Sequence, residues 1–113
     1  MDSIGTLLDA AQAINANKSR SVVVIEENKV IGLISEGDLV RALLHGMDIH
    51  TPVTQFAHYG FAFLHQRNLV EALEIFKKLG FSLIPVLSKK MELQDVITTM
   101  DILKHMQIDN PET

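Results

Sequence analysis

Apolar residues recur along this chain with two different periods. Ile4, Leu7, Leu8, Ala11 and Ile14 fall at helical spacing, with Asp9, Gln12 and Asn15 on the other side. The spacing predicts an amphipathic helix over 4–16, and Ser3 stands where an N-cap belongs. Ser21-Val22-Val23-Val24-Ile25 is continuous and β-branched, the pattern of a buried strand. After the polar turn Glu26-Glu27-Asn28-Lys29, the run Val30-Ile31-Gly32-Leu33-Ile34 predicts the returning strand of a hairpin. Beyond Ser35, the positions Leu39, Val40, Leu43 and Leu44 mark a second helix, with Gly46 as its stop.

The second half repeats this order. Leu69, Ala72, Leu73, Phe76 and Leu79 predict a helix over 68–79 that ends at Gly80. Leu83-Ile84-Pro85-Val86-Leu87 predicts a strand, Ser88-Lys89-Lys90-Met91 a polar turn, and Leu93 to Ile97 a second strand. Ile102, Leu103 and Met106 line a final helix. Pro85 implies a strand edge or a local irregularity, because it has no N–H to give a ladder. Leu7, Ala10 and Val24 match Leu69, Ala72 and Val86 at a constant offset of 62. Beyond the hairpin turn the offset is 63, pairing Ser35 with Thr98 and Asp38 with Asp101. An insertion in a turn is tolerated, so the change of offset belongs there. The predicted fold is therefore mixed α/β (α+β): an α-β-β-α unit used twice, over 1–46 and 67–113. Residues 47–66 join the copies, with Phe61-Ala62-Phe63-Leu64 as a short strand. One such unit leaves a sheet face uncovered, so the two are expected to pack as one pseudo-twofold module.

Composition narrows the class. At 113 residues and 47% hydrophobic content the chain suits one compact domain with a modest aliphatic core, and disorder is excluded. No apolar run approaches the ~18 residues of a membrane span, and the start lacks a secretory signal. The net charge is −4, and neither half is basic: residues 1–58 carry four basic and seven acidic side chains, residues 59–113 six and seven. Sequence-independent nucleic-acid binding is therefore not expected. The absence of cysteine removes disulfides, thiolate zinc sites and thiol catalysis, and permits a reducing compartment.

Gly32-Leu33-Ile34-Ser35-Glu36-Gly37-Asp38 resembles the signature of the cystathionine-β-synthase-type (CBS) domain, whose tandem pair is called a Bateman module. The signature is Gly, two residues, Ser or Thr, two residues, Asp. Asp95-Val96-Ile97-Thr98-Thr99-Met100-Asp101 is the second copy, with Asp95 where the family prefers Gly. Ile84-Pro85-Val86 is similar to the family's strand before the second hairpin, and the resemblance covers 3–106. Arg41-Ala42-Leu43-Leu44-His45-Gly46 followed by Thr51-Pro52-Val53 resembles the CBS pairs that precede sugar-phosphate nucleotidyltransferases.

The resemblance implies an adenine nucleotide or related ligand (AMP, ADP, ATP, S-adenosylmethionine or NAD) in the cleft between repeats. Ser35 and Thr98 would bind phosphate, Asp38 and Asp101 the ribose hydroxyls. The base would sit in an apolar slot at Val22 and Val23 in the first copy, or Ile84 and Pro85 in the second. A helix N-terminus suits a phosphate, since it offers unpaired N–H groups and the positive end of the dipole. The same spacing also describes a capping box, and the strand residues equally describe a core. Gly32 permits close backbone approach, which makes the Ser35–Asp38 site the preferred one and the Thr98–Asp101 site the weaker. Lys18 and Arg20 could neutralise a phosphate, or remain solvated. Arg41 could pair with Asp38 one turn away or reach a phosphate, and the helix pair is the favoured role.

Histidines 45, 50, 58 and 65 are spaced by 5, 8 and 7 across an irregular stretch, unlike metal ligands. No metal is expected, and no nucleophile–base pair or P-loop is recognisable. Phe56, Tyr59, Phe61 and Phe63 suit anchoring of the linker. The function expected is a non-catalytic, cytoplasmic regulatory module that acts on an attached or partner enzyme. The family also implies a homodimer through helices, consistent with the surplus of apolar positions on the second and fourth helices. Two rivals stand beside it: a ligand-free dimerisation scaffold, favoured by the carboxylates of Asp95 and Glu36, and a small metal-dependent enzyme using the linker histidines and Asp48.

Overall fold

The computed structural model describes residues 1–17 and 20–109. Its elements run α1 (Leu7–Asn17), β1 (Ser21–Glu26), β2 (Lys29–Ser35), α2 (Glu36–Leu44), a 3-10 turn (Val53–Gln55), α3 (Leu69–Leu79), β3 (Leu83–Leu87), β4 (Leu93–Thr98) and α4 (Thr99–Asp109). The strands form two separate antiparallel pairs, β1 with β2 and β3 with β4. Two compact units result, Met1–Phe61 and Ala62–Thr113. The α-β-β-α order predicted for each half is present in each unit.

Within each unit the core follows the repeat. Ala10, Ile14, Val22, Val24 and Ile34 are buried together in the first. Ala72, Phe76, Ile84, Val86 and Ile97 are buried together in the second, at offsets of 62 and, past the turn, 63. Even the irregularities correspond. The ladder register slips between Val24 and Ile25 in one hairpin and between Val86 and Leu87 in the other. The extra residue lies in the turns. Glu27 and Asn28, both at positive φ, close a two-residue turn, whereas Lys89-Lys90-Met91 closes a three-residue one with Met91 at φ 68°.

Two sequence expectations need correction. The first helix begins at Leu7 rather than Ile4, and Ser3 is not its cap. Ile25 N–H donates to the Met1 carbonyl and Ser3 N–H to the Ile25 carbonyl, at 2.7 and 2.9 Å, so residues 1–3 lie beside β1. Ser3 is buried with its hydroxyl donating to Glu26, and Ile4 is 87% exposed. Thr6 takes the capping role instead: its N–H donates to Asp9 Oδ2 at 2.9 Å while its Oγ1 accepts from Asp9 N–H at 3.4 Å. Residues 61–64 form a single parallel bridge rather than a strand, between Leu64 and Val86. The Pro85 carbonyl accepts from Leu64 N–H at 3.1 Å, so the proline nitrogen faces away from β4 and costs the hairpin no ladder bond.

The joining segment is divided between the units. Leu7 N–H donates to Thr51 O and Val53 N–H to Gly5 O, and Val53 is fully buried in the first core. At the end of α2, Met47 N–H donates to Ala42 O and Gly46 N–H to Leu43 O, both at 3.0 Å, a Schellman stop with Gly46 at φ 82°. The Arg41–Gly46 and Thr51–Val53 patterns thus serve to end a helix and to seat the following segment.

Candidate functional site

Ser35 ends β2 and caps α2. Its Oγ accepts from Asp38 N–H at 3.2 Å, while Ser35 N–H and Oγ–H donate to Asp38 Oδ2 at 2.8 and 3.0 Å. Asp38 Oδ1 accepts from Arg41 Nη2, so both carboxylate oxygens are engaged, and the Asp38 side chain is only 12% exposed. The Asp38–Arg41 helix pair expected from the sequence is present. So is the capping box. Three donors use three of the roughly four acceptor positions of this carboxylate, so a ribose diol would share it with Arg41 or displace that 65% exposed side chain.

In the second unit, Thr98 N–H donates to Asp101 Oδ2 at 2.8 Å and Asp101 N–H to Thr98 Oγ1 at 3.3 Å. The partner here is an arginine that sequence reasoning passed over. Arg67 Nη1 donates to Asp95 Oδ2 at 2.9 Å and to the Val96 carbonyl at 3.1 Å, and its Nη2 lies 3.8 Å from Asp101 Oδ2. Nothing local signals this contact, because Arg67 precedes α3 and Asp95 lies in β4, far apart along the chain. Asp95 therefore carries a compensated charge.

Gly32 is closely approached by backbone, as its residue type suggests. A Cβ at this position would meet the His58 carbonyl at 3.1 Å, Ala57 Cβ at 3.5 Å and Tyr59 Cδ1 at 3.6 Å. Leu33 and His58 exchange hydrogen bonds at 3.0 and 2.7 Å, holding residues 57–59 against β2. The backbone that approaches Gly32 is the chain's own.

The strand residues proposed for the base differ in exposure. Val22, Ile84 and Pro85 are buried, and Val23 is half-buried. The Val23 carbonyl accepts from the Met1 ammonium at 2.8 Å, and burial lowers the pKa of that amine. The Pro85 carbonyl is taken by Leu64. The Arg20 carbonyl accepts from Glu36 N–H at 2.9 Å, with Arg20 itself exposed; Lys18 lies outside the described residues.

The histidines of the joining segment serve separate local contacts. His45 Nδ1 pairs with Arg41 O, and His65 Nδ1 with Leu87 O at 2.9 Å while its ring meets Phe63 edge-on at 5.4 Å. No three His, Asp or Glu side chains among the described residues come together as a metal would require. Nor is any helix among them long and apolar enough to cross a membrane.

At the family motif, α2 and α4 each start with a hydroxyl residue three before an aspartate. The other two helices start in a similar way outside it, with Thr6–Asp9 before α1 and Asn68–Glu71 before α3, where Asn68 Oδ1 accepts from Glu71 N–H at 3.0 Å. The two lie at the same offset of 62 in the sequence. The spacing is therefore a general capping device in this chain, and by itself it does not mark a ligand site.

Comparison with known proteins places the motif in its family. The chain is 30% identical over 97 residues to inosine-5'-monophosphate dehydrogenase of Aquifex aeolicus (strain VF5), covering 78% of this chain and 18% of that enzyme. It spans less than two-thirds of the curated relatives it matches, 61% of one and 18% of the other. Among solved structures, it is similar to a protein assigned to acetoin utilization (AcuB) from Vibrio cholerae, with 26% identity, a TM-score of 0.85, and coverage of 99% of this chain and 84% of that one. It is also similar to a CBS domain protein from Pyrobaculum aerophilum complexed with AMP, with 20% identity, a TM-score of 0.79, and coverage of 96% and 89%. The profile of the CBS domain matches residues 5–45 and again 65–108, one match in each unit. With both motifs and both hairpins inside those spans, the chain belongs to the CBS domain family, as two copies in tandem.

Proposed function

We propose that this chain is a non-catalytic regulatory module that binds an adenine nucleotide, AMP, ADP or ATP, or a related adenosyl ligand. The observation that carries this reading is the match of both halves to the CBS domain, which puts the hydroxyl–carboxylate pairs of α2 and α4 inside the family motif. Ser35 and Thr98 would contact phosphate beside the helix N-termini, and Asp38 and Asp101 the ribose hydroxyls. Gly32 opens the motif of the first site and seats residues 57–59 against β2. Val22, Val23, Ile84 and Pro85 supply the apolar side of the two strands. The AMP-complexed relative from Pyrobaculum aerophilum supports the ligand class.

Binding regulates only if the ligand's affinity differs between two states of the module. The target we propose is a cytoplasmic enzyme, attached or separate. The match to a small part of a dehydrogenase chain supports attachment. The Arg41–Val53 pattern favours a sugar-phosphate nucleotidyltransferase as the enzyme class.

Calorimetric titration of the chain with AMP, ADP, ATP, NAD and S-adenosylmethionine, alongside melting curves, tests this. A ligand at 100 times its Kd should stabilise the native state by about 2.7 kcal/mol. Asp38→Ala or Asp101→Ala should weaken binding tenfold to hundredfold, about 1.5–3 kcal/mol, at whichever site holds the ribose. Lowered melting temperatures with unchanged affinities would leave both residues as caps. The rival reading, a ligand-free dimerisation scaffold, is favoured by the engagement of both Asp38 carboxylate oxygens. It predicts a doubled mass with no response to any of the five ligands.

A further inference from the structure

The two motifs differ most in the charge beside them. Asp95 stands where the first copy has Gly32, and Arg67 reaches it from the segment before α3. One guanidinium touches Asp95 at 2.9 Å and comes within 3.8 Å of Asp101. All three side chains are open to solvent, at 42% for Arg67, 48% for Asp95 and 30% for Asp101. Two carboxylates against one guanidinium leave a net charge of about −1 at the start of α4, offset in part by the helix dipole of about +0.5.

We infer that the Arg67–Asp95 pair selects ligands by phosphate number, admitting an adenosine monophosphate to the second unit and turning away a triphosphate. This inference rests on the reading of Thr98 and Asp101 as a nucleotide site. Arg67 Nη2 lies 3.8 Å from Asp101 Oδ2, beyond hydrogen-bond distance, so that edge of the guanidinium can turn to the phosphate of a ligand whose ribose takes Asp101. The planar fork of an arginine matches a phosphate with two parallel N–H donors. Arg67 is the cation paired at this helix start, and one phosphate group saturates it. Asp95 stays within a guanidinium's width of that phosphate. Each further phosphate then adds negative charge against Asp95 with no second partner on this cluster. The first unit lacks this filter, having no side chain at position 32 and an arginine on the helix itself.

The test is calorimetric titration of the full chain with adenosine, AMP and magnesium-free ATP, for wild type, Asp38→Ala, Asp101→Ala, and Asp38→Ala with Arg67→Gln or Asp95→Asn added. In Asp38→Ala, where the site of the second unit is read alone, AMP should bind at least tenfold tighter than ATP. Adding Asp95→Asn should narrow that ratio by strengthening ATP. Adding Arg67→Gln should weaken AMP about tenfold while changing adenosine less than threefold. Equal affinities for AMP and ATP in Asp38→Ala, or a ratio unmoved when Asp95→Asn is added to it, would overturn the filter while leaving the nucleotide reading intact. So would AMP binding lost in Asp38→Ala and retained in Asp101→Ala, which assigns the site to the first unit. Binding of no ligand at all would overturn the nucleotide reading itself, and the filter with it.

Discussion

Gly32 and Asp95 occupy equivalent places in the two hairpins, each opposite the residue before the register slip, Val24 and Val86. Their environments differ. A Cβ on Gly32 would lie 3.1 Å from the His58 carbonyl, a backbone atom already committed to Leu33, and it cannot move aside cheaply. Gly32→Ala should therefore destabilise the chain by about 1–2 kcal/mol, in the range of overpacking. Asp95→Ala removes an ion pair of two half-exposed side chains and should cost under about 1 kcal/mol. Urea unfolding of the two variants checks the contrast, and equal costs would sink it. The need for close approach at Gly32 is readable from its residue type. What approaches is not, because residues 57–59 follow only after α2 and the start of the joining segment.

Among the elements, helix stops are more legible than helix starts. Gly46 and Gly80 both adopt positive φ, 82° and 69°, with open space where a Cβ would lie. Gly46→Ala and Gly80→Ala should each cost about 1 kcal/mol, from backbone strain alone. Chemical denaturation measures this, and an unchanged midpoint would show the ends of α2 and α3 to be free to rearrange. Ser35→Ala should likewise cost about 1 kcal/mol through loss of the cap, measured the same way. Apolar spacing starts the first helix at Ile4 instead of Leu7, because the period continues through Ile4. Pairing of residues 1–3 with β1 overrides that spacing, since strand hydrogen bonds and helix capping at Thr6 satisfy more backbone groups than another helical turn would.

Across the whole molecule, both units leave apolar positions of their second helix in solvent. Val40 and Leu43 on α2 are 55% and 53% exposed, and their equivalents at the offset of 63, Leu103 and Met106, are each 50% exposed. The same exposed stripe recurs in each unit at the sequence offset, and the homodimer expected from the sequence would cover it. Light scattering should return twice the mass of one chain, and Val40→Lys with Leu103→Lys should return the single mass; a wild-type monomer at micromolar concentration refutes the dimer. The doubled α-β-β-α plan, the core positions and the site of the inserted turn residue are all written in the order of residues. They follow from the period of apolar positions and from turn chemistry, which act over a few neighbours. The groups that engage the motif carboxylates divide differently. Arg41 reaches Asp38 across a single helical turn, so the helix repeat already pairs them. Arg67 reaches Asp95 and Asp101 from the segment before α3, and the His58 carbonyl reaches Gly32 from the joining segment. No local period links residues so far apart along the chain; packing in three dimensions alone brings them together.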